Sequence, residues 1–332
     1  MKSLVNMNDI QRLAFDAYNG INRDGITTQQ LNDAVRKAII DACGGEFTFR
    51  SFRKNKEEVF ALIEDIMPTT MHAHLAGKFE EFAEIKDTEV GDDVVFRVHS
   101  NDIYPIATVA RGNQDIERNR IVDRNFRVPT QTKGIKFYEE LDWFLSGRMD
   151  LARLVEAASV SMANYVGELI SSTIYNSYDA IADEYKSTGS FDATTMNEKI
   201  EHVKAKNNVS KVQIFGTSMA LANIVDEFGY SDAAKDQANA WGYYGSFRGH
   251  AKIALPQSYT AGTKSFHVDN NHVIILPAGE KIVKVLFEGR PFMNMTEPTD
   301  RNDLQTEVLF LRRIGAASIT VPEGKYGFYK FS

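Results

Sequence analysis

Apolar residues recur at helical spacing in three short stretches at the start of the chain. Ile10, Leu13, Ala14 and Ala17 predict a helix over Asp9 to Tyr18, and Leu31, Ala34, Val35 and Ala38 predict another over Thr28 to Ala42. Val59, Phe60, Ile63 and Ile66 predict a third over Lys54 to Met67, ended by Pro68. Asn22-Arg23-Asp24-Gly25 and Gly44-Gly45 are the turns between them. The longest apolar stripe comes later, through Leu151, Leu154, Val155, Ala158, Met162, Val166, Leu169, Ile170, Ile174, Tyr178 and Ile181. It predicts one helix from about Arg148 to Tyr185, about 57 Å long at ~1.5 Å per residue. Ala157, Ser161, Gly167, Ser171 and Ser172 leave room on it for close neighbours, as in a spine laid across a sheet.

Between these helical parts the period changes to two. Asp93 to His99 reads as a strand, with returns expected in Ile106 to Arg111 and Gly134 to Tyr138 and an Arg-rich segment, 112–129, between the returns. A two-stranded ribbon of this kind is marginal in water, and so long a connection is uncommon in a compact domain. The pattern therefore predicts an extended β arm covered by another copy of the chain.

From Thr194 onward the reading is mixed. A helix near Thr195 to Lys206 precedes the strand Val212 to Phe215, and a helix from about Ser218 to Glu227 follows. Further strands are expected at Ala251 to Leu255, Ser265 to Val268, His272 to Leu276, Val283 to Phe287, Thr306 to Arg313 and Ser318 to Val321. No internal repeat or low-complexity linker interrupts the order.

Composition narrows the class. The chain has 332 residues, 43% apolar and 11% aromatic, room for about two domains with ordinary cores. No run approaches the ~18 apolar residues of a membrane span, and Met1 to Asp9 lacks a signal-peptide core. Cys43 is the single cysteine, so neither an intrachain disulfide nor a cysteine metal site can form, which fits a reducing cytosol. With 38 Lys+Arg against 45 Asp+Glu, the charge of -7 lacks the basic footprint of a general nucleic-acid binder.

Three stretches carry a family likeness: Val212-Gln213-Ile214-Phe215-Gly216-Thr217-Ser218, the run from Gly245 to Pro256 (GSFRGHAKIALP), and the run from Thr306 to Pro322 (TEVLFLRRIGAASITVP). In their order and setting the chain resembles the major capsid proteins of tailed double-stranded DNA phages with the Hong Kong 97 type fold. The resemblance implies an α+β chain with a helical N-terminal arm over 1–90 and an extended β loop over 91–146. It places a peripheral domain with the spine helix in 147–211 and 279–332, and an axial domain in 212–278. It implies a subunit that builds hexamers and pentamers of an icosahedral shell around DNA, with no sequence-specific DNA binding, cofactor, metal or membrane. Portal, scaffolding and cement proteins are the implied partners, and the virion, assembled in the bacterial cytoplasm, is the implied location. A mildly acidic wall also suits a container that must release its polymer. Because the chain begins at Met1, the expectation is an arm that keeps any scaffold-like segment. The alternative within the fold is an encapsulin, a cellular compartment around cargo enzymes, although its members usually have a compact N-terminal helix.

In the loop, Arg111, Arg118, Arg120, Arg124, Arg127, Lys133 and Lys136 alternate with acids that include Glu139 and Glu140. A nucleic-acid surface would be more one-sided, and a solvated ribbon is the plain alternative. The mixed pattern favours ion pairs between subunits, to which the forked guanidinium is suited. Lys133 and Lys136 lie where some relatives form a Lys-to-Asn crosslink. That chemistry also needs an acid and an Asn from neighbours, so no crosslink is expected.

Other motifs imitate chemistry. Gly216-Thr217-Ser218-Met219-Ala220 matches a subtilisin-like nucleophile segment, which makes a serine hydrolase the rival class. The matching His-Gly-Thr segment and the proline after the serine are missing, so Thr217 or Ser218 is expected to cap a helix. Asn22 to Ile26 imitates a calcium loop, but Gly20 and Leu31 fall where acids are required. His72 and His74 would share a strand face, and His250, His267 and His272 are scattered without a ligand pattern. Gly229, Gly242, Gly245 and Gly249 have no phosphate-binding spacing and read as turns.

Overall fold

The computed structural model describes residues 8–19, 27–46, 48–79, 81–100, 104–108, 118–120, 123–140, 151–226, 231–260, 262–296, 305–320 and 323–332. Helix α1 is Asp9–Asn19 and α2 is Thr28–Ala42. The turn proposed at Asn22 to Gly25, with its calcium-like loop, lies outside the described residues. Thr27 opens α2 with a capping box, its hydroxyl accepting from the Gln30 amide while the Gln30 side chain returns to Thr27. Helix α3, Phe49–Phe79, is longer than the sequence pattern predicts and runs through Pro68. Proline removes one helical hydrogen bond and crowds the preceding turn. The second half persists because Met67, Leu75 and Phe79 are buried in the main core.

Strand β1, Ala83–Thr88, has no counterpart in the sequence reading. Strands β2, Val95–Val98, and β3, Arg124–Arg127, form the antiparallel ribbon. The ribbon thus takes its second strand from the Arg-rich segment. The return expected at Ile106 to Arg111 is not a strand over 104–108, and 109–111 lie outside the described residues. The other expected return is part of β4, Gln131–Glu140, which pairs with a strand far along the chain.

The spine, α4, is Leu151–Asn176. It ends well before Tyr185, because residues 178–180 and 183–185 tighten into 3-10 turns and lead into β5, Lys186–Gly189. Helix α5, Ala193–Asn207, is capped by the Asp192 carboxylate at its start and ends with Asn208 in the left-handed region. Strand β6 is Val212–Gly216, and α6 is only Ser218–Ala222, shorter than expected. An unpredicted helix, α7, spans Asp232–Trp241, followed by β7, Ser246–Phe247, and β8, His250–Ala254. The strand expected at Ser265 to Val268 is reduced to one bridge between Tyr259 and Phe266. Strand β9 is His272–Pro277, β10 is Val283–Met295, β11 is Gln305–Ser318 and β12 is Gly327–Phe331. Of the separate strand expected at Ser318 to Val321, Ser318 is the end of β11, 319 and 320 are not strand, and Val321 lies outside the described residues.

Apart from the β2-β3 ribbon, the strands described form two sheets. One has the order β1-β10-β11-β4, the other β5-β12-β9-β6-β8-β7. On the first, Val283, Val285 and Phe287 of β10 and Val308, Phe310 and Ile314 of β11 face the core shared with α3 and α4. A side chain at Gly167 of α4 would come within 2.9 Å of the Phe79 ring, so this glycine allows α3 and α4 to pack closely. All six residues of β9 are buried, with Ile274 and Leu276 in the main core and Val273 and Ile275 in a second core built with α5.

Candidate assembly surface

The ribbon lies over the face of the first sheet that points away from the main core. Its anchor is Phe96, which packs with Val128 and Leu286 in a small cluster with Val94, Phe126 and Ala317. Lys86 sits 4.3 Å from the centre of the Phe96 ring and Lys284 5.9 Å from it. Both lysines pair with Glu84. Burial pushes the Glu84 carboxyl up, but Lys284 and Lys86 outweigh it and leave it below its usual range. The base of the ribbon presses close to the sheet at Gly315, where an added side chain would collide with the Pro129 carbonyl oxygen.

Both stems of the arm converge on one carboxylate. Glu288 accepts from the backbone N–H of Gly91 at 3.2 Å, from the Thr130 hydroxyl, and from Arg313 at 3.0 Å. These bonds, Thr130 first and Gly91 next, hold the Glu288 carboxyl below the usual range, with Arg313 adding to the effect. Glu288 is placed there by an irregularity of β10, whose register with β11 shifts between Glu288 and Phe292. Gly289, at φ +75°, begins the bulge, and Val90 packs where its side chain would be. Deeper in the sheet, Arg312 is buried over the Phe287 ring at 4.1 Å and bonds Asp87 at 2.9 Å. Burial pulls its guanidinium down to about 10, opposed by Asp87.

The loop residues predicted from sequence do not form one cluster. Arg118 and Arg120 are exposed, as is Arg124 on β3. Arg127 pairs with Asp93 at 2.5 Å within the ribbon, and His99 with Asp123 at 3.1 Å. Lys136 pairs with Glu307 across β4 and β11 at 2.9 Å, and Lys133 lies 5.5 Å from the centre of the Tyr165 ring on the spine. Glu139 and Glu140 continue β4 opposite Thr306 and Gln305. Arg111 lies outside the described residues. Ile106 is 98% exposed on the extended segment 104–108. Sequence reasoning missed Glu288, whose nearest signal is the breaker run Gly289-Arg290-Pro291 inside a strand pattern.

Ser218 opens α6 beside a cleft of about 250 Å³ lined by Thr217, Met219, Leu255, Pro256, Phe266 and Asn270, among others. The cap is Thr217, whose hydroxyl accepts from the Ala220 amide at 3.2 Å. Among the described residues no histidine lines this cleft to serve Ser218 as a base. The histidines are dispersed. His72 and His74 lie in α3 and not in a strand. His250 Nδ1 accepts from the Val212 amide at 3.3 Å, and His267 Nδ1 sits 2.9 Å from the Ser258 carbonyl. His272 lies 2.7 Å from Asp269 against the Tyr175 ring. Among the described residues no group of three His, Cys, Asp or Glu side chains is placed to hold a metal. No helix among them is long and apolar enough to cross a membrane.

A spine helix under one sheet, an arm rooted on the sheet's other face, and a second sheet bearing its own helices match the Hong Kong 97 type fold. The family model described as "SPbeta prophage-derived putative capsid protein YonB" matches residues 6–321, and the chain belongs to that family. It is therefore a structural capsid protein and not an enzyme. The mature capsid of bacteriophage PhiM1 is similar in fold, at 9% identity and TM-score 0.53 over 76% of this chain and 86% of that one. The capsid of Cyanophage P-SCSP1u aligns at 11% identity and TM-score 0.49, over 76% and 87%. A virus-like particle from Pyrococcus furiosus aligns at 14% identity and TM-score 0.45, over 80% and 98%. No curated protein matches the chain in sequence.

Proposed function

We propose that the chain is the repeating subunit of a closed icosahedral phage shell around double-stranded DNA, made in the bacterial cytoplasm and completed with portal and scaffolding proteins. The observation that carries this reading is family membership across almost the whole chain. The arm supports it: its root is held on its own sheet, while Ile106, Arg118, Arg120 and Arg124 are exposed in the single subunit. We assign 1–90 to the N-terminal arm, 91–146 to the extended loop, 147–211 and 279–332 to the peripheral domain and 212–278 to the axial domain. Strands β5 and β12 join the sheet of the axial segment, so the two domains share a sheet. Arg111, Arg118, Arg120 and Arg124 are the residues we assign to neighbouring subunits. Arg127, Lys133 and Lys136 have partners inside their own chain and serve to stiffen the loop.

Electron microscopy of purified particles, with analysis of their contents, tests the reading. Closed shells containing DNA are expected. Shells enclosing a cellular enzyme would favour a compartment, and absence of any particle would overturn the proposal. Trypsin should cut free subunits after Arg118 or Arg120 and spare assembled shells, since ordering a segment costs about 1–2 kcal/mol per residue and needs contacts to offset it.

A further inference from the structure

We propose that Glu288 is the positioning residue for the extended arm, a bolt that sets the direction in which the arm leaves the subunit. The inference rests on the shell reading for its consequence but not for its geometry. The arm leaves the first sheet after β1 and returns at β4, so its two stems are Gly91 and Thr130. One carboxylate binds both: Glu288 Oε1 accepts from the Gly91 amide, and Oε2 from the Thr130 hydroxyl. Arg313, on the adjacent strand, neutralises Glu288 and fixes its rotamer at 3.0 Å.

Apolar packing holds the ribbon through Phe96 and Val98 of β2, Val128 just beyond β3, and Leu286 of β10. Such packing is non-directional and by itself sets no angle for the stems. Glu288 adds a directional contact bound to both stems. Two backbone details belong to the same device. The bulge after Glu288 lets Val90 pack against Gly289, and Gly315 lets Pro129 approach, so both stems lie tight on the sheet beside the carboxylate. A bolt of this kind can be released without unfolding either sheet, because Glu288 belongs to neither large core.

The test compares Glu288→Ala, Glu288→Gln and Thr130→Val in the full chain. Glutamine keeps one acceptor for the Gly91 amide and a polar group for the Thr130 hydroxyl. In free subunits, hydrogen exchange at the Gly91 amide and trypsin cleavage after Arg118 should both rise about tenfold in Glu288→Ala, from loss of a charged hydrogen bond. Both should rise less in Thr130→Val and return near the native rate in Glu288→Gln, with the thermal midpoint of the cores unchanged throughout. Under assembly conditions Glu288→Ala should yield open or irregular sheets and Glu288→Gln closed shells. Native exchange at Gly91 in Glu288→Ala, or closed shells from it, would overturn the bolt while leaving the shell reading intact. If Glu288→Ala fails to fold, native exchange and cleavage in Thr130→Val would overturn it instead. Failure of the native chain to form shells would overturn the shell reading, and the exchange measurements would still decide the bolt.

Discussion

Strand β9 and the ribbon β2-β3 are both short and antiparallel to a neighbour, yet they are held in opposite ways. Every residue of β9 is buried, its alternate side chains divided between the two large cores. In the ribbon, only Phe96 and Val98 of β2 are buried and β3 has no buried residue. One strand is fixed by apolar area on both faces. The other depends on Phe96, Val98 and a small cluster beneath them, a few ion pairs and a carboxylate at its root. The difference separates a part of the subunit buried in cores of its own from a part with little core beneath it.

The largest effect should come from the self-contained part. Ile170→Asp on the spine places an unpaired charge in the main core, at a cost of several kcal/mol against a total stability of about 5–15, so soluble folded protein should be lost. Circular dichroism of the soluble fraction checks it, and normal assembly by this variant would show that the core is not where stability resides. Phe96→Ala removes a side chain whose loss costs about 3–5 kcal/mol in a core, but here the loss should fall on the ribbon alone. Limited proteolysis should then cut at Arg97 or Arg124 with little change in the main melting transition. A large drop in that transition would merge the two regions that the comparison separates.

A smaller, pH-dependent effect belongs to the second sheet. Lys252 of β8 is buried and donates to the Ile224 carbonyl at 2.6 Å and the Leu221 carbonyl at 3.5 Å, and burial pulls its ammonium down to about 8, opposed by Asp226. Between about pH 8 and the unfolded lysine value near 10.4, the unfolded chain holds more protons at this site. Its contribution to stability therefore rises with pH across that window and is lost as pH falls through it. Denaturant melts at pH 8 and pH 10 should show this rise in the native chain and a flatter profile in Lys252→Met. The smallest effects separate a cap from a bystander: Thr217→Ala should cost about 0.5–2 kcal/mol, whereas Ser218→Ala should leave stability and assembly unchanged. Labelling of Ser218 by a fluorophosphonate would contradict the second outcome.

Residues 8–100 show how far the pattern along the chain reaches. Helices α1 and α2 match the expected spans closely, because a 3.6-residue stripe with turn residues at its ends is local information. The third helix runs past Pro68, where the local steric cost is outweighed by the burial of Met67, Leu75 and Phe79 against distant elements. Similarly, β1 is hard to read because Ala83 and Ile85 are its only apolar residues and Lys86-Asp87-Thr88 is a polar run; it gains its place by pairing in parallel with β10, some 200 positions away. The Arg-rich segment read as a connection, and its last part is a strand because Phe126 and Val128 find the sheet surface.

By itself, the order of residues determined the apolar stripe in the middle of the spine and the spans of α1 and α2, since each depends on spacing within one stretch. It also carried the family likeness, which is a likeness of order. Only the tertiary structure decided that β4 leaves the arm for β11, that Thr217 and not Ser218 is the cap, and that Gly91 and Thr130 meet at Glu288. A hydrogen bond joining residues 197 positions apart leaves no period in the sequence, because its two ends are brought together only by the packing of everything between them.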